Sequence, residues 1–213
     1  MNSRTFVILA IASLTQATLA VAGDGPDPSS NTVVASAATA AEFAPMTRSE
    51  RFRNYLRGLV DPESFLRAGA VAGIRQAEDS PKEWRGGAEG FGDRLGDAFA
   101  EHIIRRTLQY GASTALHEDN RYFVSGESGF FRRVKYAVVS TFLARHDSGT
   151  RSISFSRIGG DAGAAFISRI WQPRSVDSGG DGAVSFGFAI GADAGFNVFR
   201  EFLPDLKRHF HKE

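Results

Sequence analysis

The sequence predicts an all-α, single-domain protein of about six helices. Three observations carry that expectation. Apolar residues recur at intervals of three and four through most of residues 47–202, the period of an amphipathic helix. Helix-start signals stand ahead of the first two such runs. A chain of 213 residues with 42% hydrophobic side chains is long enough for one core, and 11% aromatic residues argue against wholesale disorder.

Residues 1–22 place one cation, Arg4, before an apolar run from Phe6 to Leu14 and an A-x-A pattern at Ala20–Ala22. This is the layout of a secretory signal peptide cleaved before Gly23, and the run is short for a bilayer span. Residues 23–46 are rich in Ala, Ser, Thr and Pro, with no Lys or Arg between Arg4 and Arg48. They read as a disordered spacer, because they offer too little apolar surface to offset chain entropy. The helical domain is then 47–213.

Thr47-Arg48-Ser49-Glu50 fits a capping box, and Phe52, Tyr55, Leu56 and Leu59 follow at helical spacing. Asp61-Pro62 opens a second helix, with Asp as cap and Pro in the first turn, running to about Ala77. The third helix covers about Ala88 to Leu116, marked by Leu95, Phe99, Ile103, Leu108 and Ala112. A fourth covers Phe130 to Ala144. Ile153 and Phe155 alternate with serines as a short strand would. Helix five runs from Ser156 to Ile170, a flexible loop covers Asp177–Gly182, and helix six runs from Ala183 to Phe202, with Pro204 opening a last basic turn.

Gly-x-x-x-Gly recurs at Gly69/Gly73, Gly86/Gly90, Gly92/Gly96, Gly159/Gly163 and Gly187/Gly191/Gly195. Each interior glycine costs a helix roughly 1 kcal/mol against Ala, so close helix crossings are expected at these ridges. Asp193 falls off the last ridge, where water or an Arg reaches it. Ile158–Gly163 resembles Ile190–Gly195, and Gly96-Asp97-Ala98 matches Gly160-Asp161-Ala162. Coincidence in a Gly/Ala-rich chain is the favoured explanation over a degenerate repeat.

With no cysteine, disulfides, thiolate metal sites and cysteine nucleophiles are excluded. Cleavage after Ala22 removes Arg4 and leaves 24 of the 25 Lys+Arg against 24 Asp+Glu. A neutral exported chain lacks the footprint of a nucleic-acid binder. No nucleophile elbow, zinc-protease helix, Walker A loop or EF-hand is present, and neither a cofactor nor a metal is expected. Asp177–Gly182 is a weak calcium loop, and His209-x-His211 belongs to a basic tail.

The most polar cluster is His117-Glu118-Asp119-Asn120-Arg121. As an acid/base site it has His117 carrying the proton, Asp119 orienting it and Arg121 beside them. The favoured alternative is a helix-end cluster of caps and ion pairs. Phe131 and Phe142 set against Arg132, Arg133 and Lys135 resemble a helix lying at a membrane surface, and Ala183–Phe199 carry one charge, Asp193.

The order H-E-D-N-R-Y-F (117–123), A-R-H-D-S-G (144–149) and A-G-F-N-V-F-R-E-F-L-P-D-L (194–206) resembles an uncharacterised family of secreted bacterial proteins, common in soil bacteria such as acidobacteria. Its pattern is H-x-D-x-R-Y-F, T-R-x-D-x-G and A-G-F-N-x-x-x-E-F-W-P-D-I. Leu203 replaces the Trp and Ala144 the Thr. The resemblance covers about 47–210 and implies a single helical domain and no particular reaction. The expected role is non-enzymatic, in the periplasm or at the outer membrane, with a membrane surface or envelope lipid as partner and a homo-oligomer allowed. Two alternatives stand beside it: an envelope hydrolase or lipid-modifying enzyme using the 117–121 cluster, and a small outer-membrane β-barrel.

Overall fold

The computed structural model describes residues 43–210. The signal-peptide expectation, the spacer up to residue 42 and His211 lie outside the described residues. Among the described residues six α-helices form: α1 (Arg48–Val60), α2 (Pro62–Ala77), α3 (Gly87–Ala115), α4 (Phe130–Val139), α5 (Phe155–Ile167) and α6 (Gly179–Phe210). The expected all-α single domain is what the chain folds into. The β-barrel alternative is overturned, since Phe186, Phe188 and Ile190 lie within α6.

The capping box forms as expected, with the Thr47 amide donating to Glu50 Oε2 and the Glu50 amide to Thr47 Oγ1. Asp61 caps α2 through the Ser64 amide, with Pro62 in the first turn. The domain starts slightly before Thr47. The Phe43 ring meets Phe123 edge-on at 5.9 Å, and Arg121 donates to the Ala44 carbonyl.

A small antiparallel sheet joins the helices: β1 (Glu118–Asp119), β2 (Leu143–His146) and β3 (Arg151–Ile153), in that order. Its registers pair Glu118 with His146 and Ala144 with Ser152. The sheet shortens α4 relative to the sequence expectation, because residues 143–146 pair with β1 and β3 instead of continuing the helix. It also moves the expected strand to 151–153. Residues 179–182, read as a flexible loop, are the first turn of α6, where the Asp181 amide donates to Ser178 Oγ. Pro204 does not break α6; the helix continues past it to Phe210.

The interior is polar. Apart from Pro81, the buried apolar side chains among the described residues are alanines: Ala68, Ala72, Ala98, Ala137, Ala144, Ala164 and Ala165. The largest fully buried side chains include Arg94, Glu118, Glu201, Thr141, Asp119 and Asp161. Large apolar residues face outward instead, including Phe52, Leu56, Phe65, Leu66, Ile74, Phe131 (84% exposed) and Ile170 (83% exposed). The faces that helical periodicity marks on α1 and α2 are therefore largely the outside of the molecule.

Glycine permits close approach at some helix contacts, including Gly58 of α1 against Arg106 of α3 and Gly182 of α6 against Phe166 of α5, and not at others. Gly160 and Gly163 bring α5 onto α3: a Cβ at Gly163 would lie 2.6 Å from Leu108 Cδ1, and one at Gly160 would collide with Gln109. Among the described residues, a Cβ added at Gly187, Gly191, Gly195 or Gly159 would meet no other group within 4 Å outside its own helix backbone. Of the expected packing glycines, Gly163 sits at a helix crossing and Gly90 is pressed against the backbone carbonyls of Trp84 and Arg85. The α6 ridge faces outward because the opposite side of the helix carries the polar contacts of Asp193, Asn197 and Glu201.

Candidate functional site

The 117–121 cluster comes apart in the fold. His117 follows the C-cap of α3 in the left-handed region (φ 55°) and is exposed; its Nδ1 lies 3.0 Å from Asp147 Oδ2. Asp119 is buried and accepts from the Arg121 amide, Nε and Nη2, at 2.6–3.1 Å. The expected dyad, with Asp119 orienting His117, does not form: His117 precedes β1 in the left-handed region and turns to Asp147, while Arg121 takes the Asp119 carboxylate. Glu118 caps α5 from a distance. Its carboxylate accepts from the amides of Phe155 and Ser156 and from the hydroxyls of Ser154 and Ser156, where the helix dipole favours negative charge. Arg51 crosses from α1 to the Glu118 carbonyl and to Asp147. The cluster is a structural joint of caps and ion pairs.

The expected membrane-surface residues divide as well. Phe131, Arg132, Lys135 and Phe142 are exposed. Arg133 folds inward instead, donating to Glu201 and Asp205 and lying 4.2 Å from the centre of the Phe202 ring. Glu201 is the buried acceptor of that region, receiving Tyr122 Oη at 2.6 Å, the Ser125 amide and Ser125 Oγ. Burial opposes its charge, but the hydrogen bonds from Ser125, Tyr122 and Arg133 outweigh burial and hold the carboxyl below the usual range. Burial and the Glu201 bond push the Tyr122 phenol well above its ordinary value.

A second polar centre was not legible as a motif. A cavity of about 80 Å³ lies between the α1–α2 junction, α3, α5 and α6. Its lining includes Arg67, Arg105, Arg106, Arg157 and Arg200 together with Asp61, Glu63 and Asp193. Arg200 and Glu63 form its most exposed pair, at 2.6 and 3.0 Å. Deeper in, Arg67 pairs with Asp193, as the position of Asp193 off the glycine ridge led one to expect. Arg157 is nearly buried and donates to the carbonyls of Ser140, Thr141 and Asn120, which satisfies the end of α4.

His102 beside this cavity is neutral. Burial, reinforced by Arg105, lowers its pKa to about 4. Its Nε2 lies 2.8 Å from the Gly58 carbonyl, and Arg105 Nη2 lies 3.2 Å from Nδ1. That arrangement makes Nε2 the donor and Nδ1 the acceptor, a locked imidazole. Behind it, Asp161 is fully buried. Oδ1 accepts from Gln109 Nε2, and Oδ2 has no partner. Burial first and Asp193 second raise the Asp161 carboxyl to about 7. At Asp193 burial is the largest single influence, but Arg67, Arg105 and Arg157 together outweigh it and hold that carboxyl below its ordinary value. The signal that could have exposed this centre is charge placed among Ala and Gly instead of opposite the large apolar residues. Asp193 alone in Ala183–Phe199 is the clearest instance.

Among the described residues no group of three or more His, Asp or Glu side chains is placed to hold a metal. Comparison with protein-family models, with curated proteins and with solved structures finds no match to this chain.

Proposed function

We propose that this chain is a membrane-associated helical protein of the bacterial envelope with a non-enzymatic structural or binding role. The observation that carries the reading is inverted polarity. Scattered exposed apolar residues are ordinary on soluble proteins; buried charges beneath exposed large apolar side chains are not. The outward face of α6, through Ala183, Val184, Gly187, Phe188, Gly191, Gly195 and Phe199, is uncharged. At 1.5 Å per residue it extends roughly 24 Å. By length and composition α6 is apolar enough to cross a membrane. Its inner face carries Asp193, Asn197 and Glu201 into the polar interior, so the helix acts as the apolar wall of a folded domain lying against lipid. Phe131, with Arg132 and Lys135 close by on α4, adds the apolar-and-cationic edge that suits a headgroup region.

The test is flotation of the purified chain with neutral phosphatidylcholine vesicles, alongside sedimentation in lipid-free buffer. The expected result is co-flotation that survives high salt and is weakened by Phe131→Asp and Phe188→Asp. A monodisperse monomer that ignores vesicles overturns the proposal. A stable oligomer that ignores vesicles overturns it too, and assigns the apolar faces to copies of the chain.

A further inference from the structure

The arginines of the cavity outnumber the acids that line it, and the acids are already committed. Asp61 Oδ1 accepts from the amide and hydroxyl of Ser64. Both oxygens of Glu63 accept from Arg200. Asp193 holds Arg67. Of the remaining cations, Arg157 is spent on three backbone carbonyls. Arg105 has His102 and, at 3.8 Å, Asp161.

Arg106 is different. Among the described residues it has neither a hydrogen bond nor an ion pair, although it lines the cavity and is half-buried. Its guanidinium lies against Gly58, where a Cβ would collide with it. Burial and the neighbouring Arg105 disfavour its charge, with Asp61 giving partial relief. A desolvated guanidinium pressed among four others is costly to hold without a counter-charge. Five donors in a planar fork match the oxygens of a tetrahedral oxoanion.

We propose that this cavity binds a phosphate-type oxoanion, with Arg106 as its principal unpaired donor and Arg67, Arg105, Arg157 and Arg200 supplying the positive surroundings. The volume suits a small oxoanion or a few waters. The cavity edge also says how such a group arrives. The Arg200–Glu63 pair is its most exposed part, and Val60, Leu66 and Phe199, each next in sequence to Asp61, Arg67 and Arg200, are exposed apolar residues. A phosphate carried by an amphiphile therefore has apolar surface close to its headgroup, and a free phosphate finds the same guanidiniums. This proposal stands on the cavity and is independent of the membrane reading.

The experiment uses the purified chain and Arg106→Met. Unfolding midpoints are followed against inorganic phosphate, with chloride at matched ionic strength, in lipid-free buffer or mild detergent. In parallel, phosphatidylcholine vesicles are compared with vesicles containing phosphatidic acid. Saturable stabilisation by phosphate beyond chloride indicates a soluble source. A requirement for phosphatidic acid indicates a lipid source. In either case Arg106→Met should weaken the anion effect roughly tenfold or more, while the anion-free variant unfolds no earlier than the parent chain. No anion effect in either arm, or one that Arg106→Met leaves unchanged, overturns the proposal. Loss of binding to neutral vesicles alone bears only on the membrane reading.

Discussion

Asp161→Asn should stabilise the protein, and more so at alkaline than at acidic pH. The Asp161 carboxyl titrates near 7 in the fold against 3.8 for an unperturbed side chain, because it is buried, faces Asp193 and leaves Oδ2 without a partner. Between those values the folded chain binds more protons than the unfolded one. Stability from this group therefore falls as pH rises through the window and levels off above 7. Each pKa unit corresponds to about 1.4 kcal/mol. The two units between pH 5 and 7 thus give the substitution an added stabilisation on the order of 2–3 kcal/mol at pH 8 relative to pH 5. Asparagine keeps the acceptor facing Gln109 and removes the titration. His102 works in the opposite sense. Its pKa is about 4 in the fold and 6.5 unperturbed, so its contribution rises with pH across that range. The parent chain should accordingly show a shallow stability profile from pH 4 to 7, and Asp161→Asn a rising one. The assay is denaturant unfolding followed by far-ultraviolet circular dichroism at pH 5, 6, 7 and 8 in one medium. A difference between the two chains that does not change with pH, or a destabilised variant at pH 8, refutes the reasoning and means that Arg105 holds Asp161 ionised.

Further outcomes follow from the polar interior and the outward glycines. Arg94 is fully buried and donates to the carbonyls of Ser80, Pro81, Arg85 and Gly90 and to Gln76; Arg94→Met should cost about 3–5 kcal/mol in equilibrium unfolding, and Arg94→Lys should not restore it, since an ammonium lacks the fork. His117→Gly relieves a left-handed residue and removes only an exposed pair with Asp147, so stability should stay level or rise by up to about 1 kcal/mol; a loss larger than that would contradict the placement. Gly191→Ala meets open space and should gain a few tenths to 1 kcal/mol from helix propensity in lipid-free conditions. A loss confined to membranes or concentrated samples would put a second chain on the ridge.

The sequence makes the local part of this fold legible. Thr47 with Glu50, and Asp61 with Pro62, announce α1 and α2 because capping chemistry is settled within four residues. Errors arise where distant groups decide. Residues 140–144 have helical spacing, yet Arg157 takes the carbonyls of Ser140 and Thr141 and β1 claims the following residues. Gly179–Gly182 have a loop's composition, yet Ser178 and Asp181 cap a helix there. The His117–Arg121 cluster is visible as polarity, but which acid faces which cation depends on strand alternation and on Asp147, thirty residues away. The arginine cavity draws its side chains from α2, α3, α5 and α6, so no single periodic pattern contains it.

The interior also gives the small residues a second meaning. Gly96-Asp97-Ala98, Gly160-Asp161-Ala162 and Ala192-Asp193-Ala194 each carry an inward aspartate between small neighbours. Asp97 receives Arg75, Trp171 Nε1 and Gln172; Asp161 faces Arg105 and Gln109; Asp193 receives Arg67. Small residues beside each acid let a long guanidinium from a neighbouring helix reach across without a bulky side chain in the way. A core of alanines alone supplies little burial energy, so helix register here is set by these directional pairs. A helix that slides by one turn in an apolar core trades one contact for another, whereas here it strands a buried charge, and that penalty is large. With its polar groups used internally, the chain is left to present apolar faces to its surroundings. The membrane proposal accounts for those faces, and among the described residues Arg106 is the cavity guanidinium without a hydrogen bond or ion pair.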